Sequence, residues 1–192
     1  MDPPFRAEDL IGAGRGALVE STFGAGWLGW GLGHAKAFNG FSGPAFGLTA
    51  LVLAACSILA LRKGRSLKKA SQATVSPSRP PILKRFLVVV AIEFLAIALA
   101  CMLANLLHRS DLATDWCAMI VGLHYLPLAK ILRAPQLTIL GILITLWCAL
   151  NWLLLRSNSL VIAVSVGTGT LLWGACGSAL FRARRMALAL RA

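Results

Sequence analysis

Six apolar stretches dominate this chain: Gly16 to Ala35, Phe41 to Leu61, Phe86 to Leu107, Thr114 to Ala129, Gln136 to Leu155 and Ser159 to Phe181. A helix needs roughly 20 apolar residues to cross a hydrocarbon core of about 30 Å, and the stretches approach that length. The fourth is the shortest and holds His124 and Pro127, so a tilted or re-entrant segment is the alternative there. All are continuous rather than alternating. Because lipid requires every backbone polar group to be satisfied internally, they are read as helices. Composition agrees: 58% of the 192 residues are hydrophobic and 14% charged, where a soluble domain carries about 45–50% and about 25%. This excludes a water-soluble enzyme and predicts an all-α integral membrane protein.

Charge placement sets the crossings. With six spans and the N-terminus in the cytoplasm, 16 of the 19 Lys and Arg fall on the inner side, and only Lys36, Arg109 and Arg156 lie outside. Five spans would put the C-terminal Arg182, Arg184, Arg185 and Arg191 outside, against the positive-inside bias. The sequence therefore predicts a single domain over residues 1–192, a six-helix transmembrane bundle with both termini cytoplasmic. The N-terminus carries Asp2, Glu8 and Asp9 in place of a basic leader, so no cleavable signal peptide is expected. Residues 62–85 form a basic cytoplasmic loop with eight Lys and Arg and no acid. Its first reading is topogenic, and its second is contact with anionic lipid headgroups. The formal charge of +12 reflects this loop and the tail. No aromatic residues interleave with the loop's charges, so nucleic acid is not expected as a partner.

Lipid tails are as apolar as leucine, so membrane helices associate through small residues and hydrogen bonds. Eleven of the 18 glycines lie between Gly12 and Gly47. Gly12, Gly16, Glu20 and Gly24 mark one face of the first span at a spacing of four. Ala96, Ala100 and Ala104 follow Glu93 on the third. Thr138, Gly141, Thr145 and Cys148 mark the fifth span, and Ala163, Gly167, Thr170, Gly174 and Gly177 the sixth. These are expected to be inner faces. Trp27, Trp30, Trp147 and Trp173 are expected to fill the bundle, and Trp116 and Trp152 to anchor at its interfaces.

Ionisable groups inside a span cost roughly 2.5–3.5 kcal/mol on insertion scales and are functional candidates by default. Three qualify: Glu93, His124 and Glu20. At 1.5 Å per residue, Glu20 lies about 7–8 Å beyond Arg15, Glu93 about 12 Å beyond Arg85 and His124 about 9 Å from Lys130. All three fall in the cytoplasmic half and could face one another. A carboxyl–imidazole set can bind and release protons near neutrality, which makes them candidate substrate or proton ligands. The alternative is structural: a neutral Glu bonded across helices, or Glu20 snorkelling to the interface. Pro127 frees the Leu123 carbonyl beside His124. Asp111 and Asp115, four apart in the outer loop and start of the fourth span with Arg109 nearby, could hold a cation, but a solvated loop is the preferred reading.

The five cysteines form no C-x-x-C pair and are read as apolar packers. No zinc-protease, phosphate-loop or nucleophile-elbow motif occurs, so no catalytic residue, cofactor or metal is assigned. The run Ile120 to Lys130, IVGLHYLPLAK, resembles a segment of uncharacterised small bacterial multi-pass membrane proteins, which implies a membrane location and no activity. The acid in the glycine-rich first span resembles small multidrug transporters, but those have four spans.

The function expected is a small proton-coupled transporter or permease-like protein of a cell membrane, the bacterial inner membrane. The main alternative is a structural or regulatory component binding lipid or a protein partner. A weaker one is an intramembrane enzyme acting on a lipid-like substrate through His124. The partners expected are the bilayer, anionic lipid at the basic loop and a second copy of the chain.

Overall fold

The computed structural model describes residues 7–70 and 82–189. The middle of the basic loop, together with Asp2, Arg6 and Arg191, lies outside the described residues. Among the described residues there are six α-helices and no strand: α1 (Ala7–His34), α2 (Ser42–Ala70), α3 (Ile82–Leu106), α4 (Ser110–Leu132), α5 (Pro135–Leu154) and α6 (Ser157–Ala189). Five of them, α2 to α6, are long and apolar enough to cross a membrane. The chain is a multi-pass membrane protein.

α1 falls short of the other five in hydropathy for a compositional reason. It is long enough at 28 residues, but glycine contributes almost nothing apolar and Glu20, Ser21 and Thr22 sit in its middle. Several helices outrun their apolar stretches. In α1, Glu8 and Asp9 lie in the first turn, where they suit the positive end of the helix. α2 continues to Ala70, so the first part of the expected basic loop is helix. Lys and Arg are good helix formers and suit a helix C-terminus, and Gly64 is kept in the helix where it packs on Ile11. At 33 residues α6 is about 50 Å long, more than a bilayer core needs. α4 is one continuous helix through Pro127 and long enough to cross, with no break of the kind a re-entrant segment requires.

The connections between α3, α4, α5 and α6 are two or three residues long, with one left-handed residue in each of the first two, His108 and Arg133, and one at the first residue of α6, Ser157. At the end of α4, the N–H groups of Arg133 and Ala134 both return to Ala129 O. Pro135, which cannot donate a helical hydrogen bond, then occupies the start of α5. Between α3 and α4, Arg109 Nε and Nη2 reach Asp111 Oδ1 and Oδ2 at 2.9 and 2.8 Å. These hydrogen bonds, and the carboxylate's charge, raise the Arg109 guanidinium above its ordinary value.

The chain divides into two compact units: Met1–Gly26 with Phe38–Pro77 and Leu172–Ala192, and Trp27–Ala37 with Ser78–Leu171. In the first, α1 crosses α2 closely: a Cβ at Gly14 would lie 2.9 Å from the Leu61 backbone nitrogen. Along α1 the buried positions are Leu10, Gly14, Ala17, Ser21 and Gly24, with Glu20 alongside. They recur at alternating spacings of four and three. Of the expected four-residue stripe Glu20 and Gly24 are buried and Gly12 and Gly16 are not, because steps of four drift around a helix whose face is kept only by an average near 3.5 or 3.6. Gly12 and Gly16 accordingly face open space.

On α6 the expected stripe keeps the helical period, at alternating spacings of four and three, but its second half lies on the wrong side. Thr170, Gly174 and Gly177 are exposed, whereas in this unit Leu172, Cys176, Ala179, Ala183, Met186 and Ala187 are buried. Trp173 donates from Nε1 to Ser21 O at 3.1 Å and stacks on Phe46.

In the second unit α4 lies between α3 and α5. A Cβ at Gly141 would fall 2.6 Å from Gly122 O, and one at Gly122 would fall 3.0 Å from Thr145 N, so the α4 and α5 backbones touch. Here the expected stripe on α5 holds, with Gly141 and Cys148 buried and Thr138 and Thr145 partly so. On α3, Glu93, Ala96, Ala100 and Ala104 are the less exposed side, also as expected. Trp147 covers Gly167 and donates to Ala163 O at 3.0 Å. Trp30 departs from expectation: it is 55% exposed and rests on the His34 ring.

Candidate functional site

Glu93 sits midway along α3 and His124 in the second half of α4. Antiparallel packing of two helices joined by three residues places them opposite each other. His124 Nδ1 lies 2.5 Å from Glu93 Oε2, with side-chain exposures of 10% and 16%. The two atoms approach closely, though Nδ1 makes no hydrogen bond of ordinary geometry. Either protonation pattern of one shared proton, carboxylate with imidazolium or carboxylic acid with imidazole, leaves the pair neutral. A neutral pair is what a low-dielectric interior tolerates. Gain or loss of one further proton leaves a net charge there.

Glu20 is not part of this pair's unit. It lies in the first unit, 5% exposed, with Oε2 unpartnered and Arg182 of α6 close enough to act on it electrostatically. Its burial rules out the snorkelling alternative. The structure thus brings two of the three candidates together and assigns the third a separate environment containing a cation.

The reading of Asp115 is overturned. Only Asp111 pairs with Arg109; Asp115 is 0% exposed, inside α4, and neither carboxylate oxygen has a hydrogen-bond partner. α4 begins at Ser110, so Asp115 is already in the second turn. Its register with Ala118, Gly122 and Tyr125, the side buried against the other helices, carries it inward. That spacing is legible in the sequence; proximity to Arg109 obscured it. Asp115 acts electrostatically on Cys148 of α5, itself fully buried beside the Thr168 side chain of α6.

Cys101 of α3 and Cys117 of α4 bring their sulfurs to 3.6 Å, and all five cysteines are free. No family model, curated protein or solved structure matches the chain.

Proposed function

We propose that the chain is a small proton-coupled transporter, permease-like, with six crossings and both termini in the cytoplasm of a bacterial inner membrane. The observation that carries this reading is the Glu93–His124 pair across α3 and α4, held in two helices apolar enough to span the bilayer. Each change of one proton alters the pair's net charge where charge is costly, so proton occupancy is coupled to how α3 rests on α4. The most apolar window of α3 contains no buried residue, so few packed side chains oppose such a shift. The orientation draws on the distribution of 16 of 19 basic residues to one side.

The test is proton uptake by proteoliposomes carrying an internal pH dye, after an external acid pulse and with a panel of small solutes on either side. Flux above that of protein-free vesicles is expected, with Glu93→Gln reducing it to that background. Identical flux in the wild type and Glu93→Gln would sink the proposal. The rival structural reading uses the same pair as a clamp. It is supported by the helical basic end of α2, with Arg62 and Arg65 exposed for an anionic lipid surface. Under that reading Glu93→Gln lowers thermal stability and leaves flux at background in both proteins.

A further inference from the structure

Cys101 of α3 and Cys117 of α4 stand on different helices, and their sulfurs come within 3.6 Å, close enough for one thiol to donate to the other. Both residues are half-buried and both thiols are free. A disulfide needs sulfurs about 2.05 Å apart, so closing this pair takes a movement of about 1.5 Å. Rotation of the two side chains with a small shift of α3 supplies a movement of that size. Little packing resists the shift, since the most apolar window of α3 holds no buried residue.

The two thiols share a helix seam with the Glu93–His124 pair. Cys101 is eight residues beyond Glu93 and Cys117 seven before His124, or about 12 and about 10 Å along antiparallel helices. A bond at one place on the seam therefore fixes how α3 rests on α4 at the other. Both thiols lie within helices apolar enough to cross a membrane, so an oxidant must reach them through lipid. Charged oxidants such as glutathione disulfide do not dissolve there. Quinones are two-electron oxidants that do.

We propose that Cys101 and Cys117 are a redox switch on the proton site: a lipid-soluble quinone oxidises them to a disulfide, which clamps α3 on α4 and stops proton exchange at Glu93 and His124. The effect on flux rests on the transporter reading; the clamp itself does not. The reaction balances. Two S–H bonds break, one S–S bond forms, and two electrons with two protons reduce the quinone to its quinol. A dithiol reductant reverses it by thiol–disulfide exchange.

The experiment treats the full chain in proteoliposomes with decylubiquinone, whose fully substituted ring takes no thiol adduct, then removes the quinone and adds dithiothreitol. Peptide mass spectrometry should show the Cys101 and Cys117 thiols lost together, with an equal amount of quinol formed, and both recovered on reduction. Proton uptake should fall at least tenfold on oxidation and return with the thiols. Cys117→Ala, which leaves Cys101 no partner, should keep its flux in both conditions. Retention of all five thiols after quinone treatment overturns the proposal, as does undiminished flux in the disulfide-bonded chain. Background flux in the reduced wild type overturns the transporter reading alone. The clamp is then judged in micelles with dicyclohexylcarbodiimide, which adds to carboxyl groups in apolar surroundings. Labelling at Glu93 should slow at least tenfold on oxidation, with Glu20 of the other unit as the internal reference. Equal rates at Glu93 in the reduced and oxidised chains overturn the switch.

Discussion

Gly122 and Gly141 show how single residues control this protein. A side chain at either meets the facing backbone, and backbone cannot swing aside as a flexible side chain can. Gly122→Leu should therefore destabilise the α4–α5 contact by about 1–3 kcal/mol, the usual cost of overpacking. Gly12→Leu, into open space, should leave thermal unfolding in detergent nearly unchanged. Equal effects of the two would contradict the packing described. The ionisable residues were legible in unequal degree. Glu93 and His124 stood out because charge is scarce within apolar stretches, and their similar depth made a meeting conceivable. No counting of depth could assign Glu20 to the other unit, beside Arg182. Asp115 was misread because sequence proximity to Arg109 was given more weight than helical register.

At the level of helices, the existence of all six could be read from the apolar stretches, but their faces could not be read as reliably. Spacings of four selected Gly12 and Gly16 on α1, and alternating spacings of four and three selected Gly174 and Gly177 on α6; no neighbour would come within 4 Å of a Cβ at any of them. The stripe on α5 succeeded because its spacings of three, four and three stay on one helix face, and because Thr138 and Thr145 are tolerated half-buried. The α3–α4 pairing has a direct chemical check. Cys101 and Cys117, 3.6 Å apart at sulfur, should join as an intramolecular disulfide under mild copper-phenanthroline oxidation. Counting free thiols by mass should show two lost per chain with no covalent dimer. Retention of all five thiols would separate α3 from α4.

For the whole molecule, the number of crossings turns on α1. If it spans, cysteines placed singly by Lys36→Cys, Arg109→Cys and Arg156→Cys in a cysteine-free chain react with an impermeant maleimide from outside intact cells. In that arrangement Arg6→Cys and Lys130→Cys react only after permeabilisation. External reaction of Arg6→Cys together with Lys36→Cys would mean that α1 lies on the membrane and that five helices cross. Hydropathy alone could not decide this, because glycine serves helix contact and lowers the apolar average in the same step. The two-residue link between α4 and α5 also limits how the chain is made. With only Arg133 and Ala134 between them, no length of polar chain separates the two helices during synthesis. A link this short keeps the two helices beside each other from the moment both are made, so their glycine contact costs little loop-closure entropy.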